Sequence, residues 1–329
     1  MRVKVIIVKY AKRLVSMVGG VLISKVEYSQ SQLQLASAIH RLIKKGCKSQ
    51  YVDGLSCVVF SKDRAIQLYA LIETYQKFVK NPAPMYIIYN TSTHDHELSY
   101  IELLNIVGGS KNIKFIKEKE SFRKTLLFVL STIKTKNFFF LTDDNIFIRN
   151  FDIDFSSKIN PLKKILSLRH NPNICYSYTA RKHFTPPDFV PCQENKLLLE
   201  FNWFDKDYEW SDPWSVDGHI FLTEEVLVLS KISNYKLPNS YESALKSFNF
   251  LICGRKGVCH TKSVIMNIPM NIVQSEYSNI SGTTTASYLL KKWNDGLALD
   301  VSFLENYHLV STHDDQAIDF KKRNINHFE

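Results

Sequence analysis

Between residues 55 and 141, four short apolar runs alternate with stretches of helical period, and few folds accommodate that order. The runs cover 55–60, 85–89, 113–116 and 138–141. Each is too short, and too rich in β-branched or aromatic residues, for a helix and reads as a buried strand. Helices are predicted over 65–79, over 97–107 with a stop at Gly108-Gly109, and over 121–133. Such alternation gives a mostly parallel sheet flanked by helices, which binds ligands beyond the carboxyl ends of its strands. Those ends are polar here: Ser61-Lys62-Asp63-Arg64 after the first strand, Asn90-Thr91-Ser92 after the second, Asp143-Asp144-Asn145 after the fourth.

The fourth exit carries the most chemistry. Phe138-Phe139-Phe140-Leu141-Thr142 runs directly into two adjacent carboxylates, which repel one another and lose hydration together. A hard divalent cation such as Mg²⁺ or Mn²⁺ relieves that conflict, whereas an Asp-Asp-Asn turn merely tolerates it.

The formal net charge of +10 is unevenly placed. Residues 1–48 hold ten Lys/Arg against Glu27 alone, so the rest of the chain is nearly neutral. This speaks against a broad nucleic-acid-binding face and for a basic anchor at one end. On a helix, Val3, Ile6, Ile7, Tyr10, Leu14, Met17, Val18 and Val21 form one apolar stripe among basic residues, the pattern of a helix lying on an anionic membrane. An ordinary docking helix, or a strand over 3–8, fits the same residues, and Gly19-Gly20 would interrupt a long helix. A second helix is predicted over 32–45, ending at Gly46. No run of 18 apolar residues predicts a spanning helix, and no secretory signal is evident at the start. Six cysteines without a C-x-x-C pair are expected as free thiols, Cys253 and Cys259-His260 being a weak zinc candidate. We therefore expect a basic N-terminal extension, residues 1–48, and one catalytic domain, residues 49–329. That domain divides into a first half at about 55–150 and a second half at about 151–329.

The second half is less regular. Strands are predicted at 166–168 and 263–268, helices at 224–231 and 240–250, and a Pro-containing loop over 181–200. Trp203, Trp210 and Trp214 fall among acids between residues 201 and 221. Aromatic faces with neighbouring carboxylates suit a sugar acceptor, and His219 belongs to the same stretch; the alternative is that the Trp residues are core and Asp217-Gly218 a turn.

The order of strands and helices over 55–150, with a looser match through 221, resembles the nucleotide-sugar-binding half of a GT-A glycosyltransferase, a Rossmann-like mixed and mostly parallel fold. There an Asp-X-Asp motif at a strand end holds Mn²⁺ or Mg²⁺ against the donor diphosphate; here Thr142 replaces the first acid. The resemblance implies that Asp144 ligates the metal and Asp143 touches the ribose or donor sugar, roles exchanged if the motif is Asp143-Asp144-Asn145. It implies Phe60 and Ser61 near base and ribose, Asn90 at the base edge, and Arg64, with Arg123 as a further candidate, on the diphosphate. From the residues alone, Asp63 capping the helix beside a solvated Arg64 is equally open. The loop 215–219 resembles the one that carries the catalytic base of inverting members, which makes Asp217 the candidate, with Asp212 and Glu209 behind it. His313 would complete the metal site, ahead of His260 and His219. Asn267, Asn271 and Gln274 flank Ile268-Pro269 without an assigned role.

The expected activity is metal-dependent transfer of a sugar from a nucleoside-diphosphate donor to a glycan or lipid-linked acceptor in cell-surface polysaccharide biosynthesis. The expected place is the cytoplasm, peripheral on the inner face of the membrane through residues 1–25. A sugar nucleotidyltransferase is a competing reading, weakened because no Gly-rich phosphate loop follows the first strand. A non-catalytic carbohydrate-binding protein is another.

Overall fold

The structure of the protein, a computed structural model, describes residues 25–46, 51–108, 110, 112–193, 195–273 and 281–324. The chain divides into two compact units, Met1–Gly46 and Cys47–Glu329. Of the first, helix α1 (Lys25–Gly46) is described, with Glu27 in its first turn and Lys44 and Lys45 in its last, the sense that suits a helix dipole. The proposed membrane-surface stripe lies outside the described residues. No described helix is long and apolar enough to cross a membrane.

The second unit opens as the alternation predicts: β1 (Val52–Lys62), α2 (Ala65–Phe78), β2 (Met85–Asn90), α3 (His94–Val107), β3 (Ile113–Lys117), α4 (Phe122–Thr132) and β4 (Thr135–Thr142). Thr93 and Ser121 cap α3 and α4 by accepting from His96 N (3.3 Å) and Lys124 N (3.3 Å), which explains where both helices begin. β1, β2, β3 and β4 pair in parallel, β1 lying between β2 and β4. Residues 55–61 of β1 are buried without alternation because helices cover both faces of its sheet. Phe60, Phe138 and Phe140 pack edge-on or tilted around the centre.

Beyond β4 the chain adds β5 (Asn145–Phe147), β6 (Lys164–Ser167), β7 (Leu198–Asn202), β8 (Ile220–Leu222), α5 (Thr223–Ile232), α6 (Pro238–Lys246), β9 (Lys256–His260), β10 (Ile265–Asn267), α7 (Ala286–Asn294), β11 (Leu297–Asp300) and β12 (Asp319–Lys322). β8 joins the main sheet antiparallel to β4, giving the order β8-β4-β1-β2-β3. A smaller sheet sets β7 antiparallel to β9 and β9 parallel to β6. β10 returns antiparallel to β5 and so carries residues 265–267 to the end of β4, where the acid pair sits. His313 bridges Asn267 there. A buried bidentate pair, Arg255 on Glu225 at 2.9 and 2.6 Å, ties the start of β9 to α5.

Candidate active site

A cleft of about 580 Å³ opens at the carboxyl ends of β1, β2 and β4. Phe60, Ser61, Arg64, Asn90, Asp143, Asp144, Asp217 and His313, all singled out from sequence, line it.

The acid pair is organised by the exit of β1. Asp143 is 3% exposed, and its Oδ2 accepts from Ser61 Oγ (2.9 Å) and Lys62 N (3.1 Å). Arg64 Nη1 donates to both acids, to Asp143 Oδ1 at 2.9 Å and to Asp144 Oδ2 at 3.1 Å. Arg64 Nη2 is held by the carbonyl of Asn271, and Asn267 Nδ2 donates to Asp144 Oδ1 at 2.8 Å. Burial pushes the Asp143 carboxyl up to about 6, against the pull of Arg64 and with a push from Asp144. The Arg64 guanidinium stays firmly charged because the two carboxylates outweigh its loss of hydration. The open choice at Asp63-Arg64 is thus decided in part. Asp63 adopts φ 55° and accepts from Ser92 N (2.7 Å), whereas Arg64 begins the helix and is no solvated side chain.

Asp217 stands on the other side of Thr142. The Thr142 hydroxyl donates to Asp217 Oδ1 at 2.8 Å; Arg169 Nη1 lies 3.4 Å and His313 Nε2 3.9 Å from Asp217 Oδ2. The carboxylate is presented by a turn only glycine fits: Gly218 has φ +72°, and a Cβ there would meet Ile265 Cδ1 at 2.3 Å. Gly218 N donates to Phe140 O (2.7 Å), which fastens the turn to β4. Thr142, which looks like a lapse in an Asp-X-Asp motif, is therefore the donor that links the two carboxylate sets; an Asp there would face Asp217 with like charge. Burial holds His313 below its ordinary range despite Asp217 nearby, so the imidazole is neutral at pH 7.

A divalent cation was expected on Asp144, Asp143 and His313. The chemistry of the donors fits: a carboxylate at the cleft wall and a neutral imidazole whose Nδ1 is turned to Thr312 Oγ (3.1 Å). Among the described residues no group of three His, Cys, Asp or Glu forms a closed cage, so phosphate or water would have to complete the shell. The described cysteines are free, and none joins a metal-binding group with His260, which is half-buried at the end of β9.

Several expectations need correction. Trp203, Trp210 and Trp214 do not face the cleft; they are 5%, 0% and 0% exposed. Trp210 stacks on His170 (centroids 4.5 Å apart), donates its Nε1 to Ile174 O (3.2 Å) and meets Phe201 edge-on. His219 is fully buried beside Trp203 and His170, its Nδ1 3.1 Å from Pro213 O, and is neither acceptor contact nor metal ligand. The aromatic cluster is core, where ring area stabilises most. Arg123 is likewise absent from the cleft: it donates to the carbonyls of Lys231 (2.9 Å) and Ser233 (3.4 Å) and covers Tyr235, joining α4 to the end of α5.

The cleft is also lined by Tyr208, Glu209, Asp212 and α6, which contributes Glu242 and Lys246. Lys246 pairs with Asp212 at 3.1 Å. Burial, with Asp212 adding to it, pushes Glu242 up to about 8, against the pull of Lys246 Nζ at 3.7 Å. Nothing local in the sequence marks Glu242, and Arg169 became relevant only through folding. Beside the exits of β1 and β2, Tyr89 stacks on Tyr100 (4.8 Å, 9°), whose hydroxyl contacts Ser61 Oγ.

No protein-family model matches the chain. A stretch of 191 residues is 25% identical to the bifunctional glycosyltransferase pgtA of Dictyostelium discoideum, covering 53% of this chain and 24% of that protein. The match thus spans about a quarter of the length of this curated relative. Among solved structures, the chain is similar to S. aureus TarS 1–349 in complex with UDP, at 12% identity over 64% of this chain and 59% of that one, with a TM-score of 0.40. It is also similar to 4-diphosphocytidyl-2C-methyl-D-erythritol synthase of Anaerococcus prevotii, at 14% identity over 74% and 96%, with a TM-score of 0.37. Likenesses this loose add nothing to what the sheet order itself states.

Proposed function

We propose that the protein transfers a sugar from a nucleoside-diphosphate donor to a hydroxyl acceptor, as a GT-A-type glycosyltransferase. The observation that carries this reading is the pairing, across Thr142, of a polar strand-exit site at Asp143, Asp144 and Arg64 with a second carboxylate, Asp217, in one cleft. The partial identity to a protein named as a glycosyltransferase supports it. The donor base and ribose fit the end formed by Phe60, Tyr89 and Asn90, and the diphosphate lies toward Lys62 and Arg64. Asp217 takes the proton of the acceptor hydroxyl as its oxygen bonds to the anomeric carbon, while the bond from that carbon to the diphosphate oxygen breaks. The electron pair leaves on the nucleoside diphosphate. Asp144 and His313 would hold Mn²⁺ or Mg²⁺, which supplies positive charge to the departing diphosphate. Arg169 orients Asp217, and Glu242, whose pKa burial raises, offers the acceptor a hydrogen-bond partner.

Incubation of folded protein with a panel of UDP-, GDP- and CMP-sugars and Mn²⁺, read as nucleotide release and as thermal shift, tests the proposal. Neither binding nor release with any donor would sink it. Pyrophosphate release from a nucleoside triphosphate and a sugar phosphate would replace it with nucleotidyl transfer.

A further inference from the structure

Every carboxylate oxygen of the Asp143–Asp144 pair already accepts a hydrogen bond. Asp143 Oδ2 is closed by Ser61 and Lys62 N, and Asp144 Oδ1 by Asn267. The two remaining oxygens, Asp143 Oδ1 and Asp144 Oδ2, share a single nitrogen, Arg64 Nη1, at 2.9 and 3.1 Å. Divalent Mg²⁺-type ions approach carboxylate oxygens to about 2.1 Å, so an ion between those two oxygens would overlap the guanidinium. Arg64 is 11% exposed in its side chain, and its Nε is buried without a hydrogen-bond acceptor. One donor of the side chain is therefore unsatisfied in this arrangement, a cost that a different seat for the guanidinium would relieve.

We infer that Arg64 is the resident counter-ion of the acid pair, which a divalent cation reaches only when the guanidinium is released, and that a diphosphate in the cleft is what releases it. A guanidinium prefers a bidentate phosphate partner to one nitrogen split between two carboxylates. The incoming phosphates and the incoming cation thus each remove an obstacle to the other: the anion draws Arg64 off the acids, and the cation neutralises the acids it leaves. By linkage each ligand tightens the other by the same factor. The second half of this inference rests on the donor reading of the cleft; the first half does not.

The probe for the first half is Mn²⁺ alone, titrated at pH 8 against the full chain and followed by the loss of its free-ion EPR signal. Wild type should bind weakly, and Arg64→Met should bind at least tenfold more tightly. The gain should vanish in Arg64→Met/Asp144→Asn. Arg64→Gln, which keeps amide donors for the carboxylates but no charge, serves if the Met variant does not fold. A folded variant that binds Mn²⁺ no more tightly than wild type overturns the inference. The second half is read on wild type by adding UDP, with Mn²⁺–UDP association subtracted through protein-free blanks. UDP should tighten Mn²⁺ by a larger factor in wild type than in Arg64→Met, where only the direct attraction of cation to diphosphate remains. Bound UDP that leaves wild-type Mn²⁺ affinity unchanged also overturns it. If UDP and the other nucleotides do not bind at all, the donor reading fails, while the metal-alone comparison still decides the role of Arg64.

Discussion

Replacing Thr142 with Asp would restore an Asp-X-Asp spelling, and the structure says that this restoration harms the protein. The new carboxylate would stand where a hydroxyl now donates to Asp217 Oδ1 at 2.8 Å. Two unit charges about 4 Å apart at an effective dielectric of about 20 repel by about 4 kcal/mol. Arg169, 3.4 Å from the other oxygen of Asp217, absorbs part of this, so a loss of roughly 2–4 kcal/mol is expected at pH 8. At about 2 °C per kcal/mol for a domain of this size, the melting temperature should fall by about 4–8 °C. The sign with pH follows from linkage. Repulsion raises the folded-state pKa of one carboxyl, so the penalty exists above the ordinary carboxyl range and fades as pH falls toward about 4. Thr142→Val keeps the shape and removes only the donor; it should cost about 1–2 kcal/mol. Differential scanning fluorimetry from pH 4 to 8 reads all three proteins. A Thr142→Asp variant that melts within about 1 °C of wild type at pH 8, or that turns over donor faster, would refute the role given to Thr142.

Asp217→Asn should lower transfer by a factor of about 10²–10⁴ while leaving nucleotide binding intact, as seen by calorimetry beside a nucleotide-release assay. Arg255→Met strands Glu225 in the core and should cost about 3–5 kcal/mol in urea unfolding, most of which Arg255→Met/Glu225→Met should recover. Trp214→Phe, in a fully buried position, should lower stability and leave the acceptor KM unchanged; a raised KM would return that residue to the acceptor site. The Asp143 carboxyl, pushed up to about 6, costs no stability below about pH 4 and its full penalty above about pH 6, so Asp143→Asn should flatten the corresponding decline in unfolding free energy.

The main sheet was legible because its information is local. Each strand of the first half contains a short apolar run, two of the three helices begin at a capping Thr or Ser, and order alone places the strand exits side by side. Asp143, Asp144, Arg64 and Asn90 were found for that reason. What lay out of reach depends on where distant chain is brought. Asn267, named without a role, reaches Asp144 through the three-residue return of β10, and Glu242 joins the site through the seating of a nine-residue helix. The Trp residues misled because an aromatic among acids looks the same whether its ring faces a cleft or a core. Nothing in the spacing of the three told that Trp203 and Trp210 close over His170 and His219 while Trp214 stacks on Phe221. Arg123 failed similarly: a helix N-terminal arginine is as able to bind the carbonyl ends of a neighbouring helix as a phosphate.

The turn that presents Asp217 is bolted to β4 twice, by Gly218 N on the carbonyl of Phe140 and by the hydroxyl of Thr142 on the carboxylate itself. The acid pair leaves the same strand one residue later. Two adjacent pleats of β4 thus act as a ruler, the span between the two carboxylate groups being held by one backbone bond and one side-chain bond to the same strand. Whatever shifts when a ligand enters, that span is the fixed gauge, and adaptation to ligands of different size falls to the opposite wall, at Tyr208 and along Leu237 to Lys246.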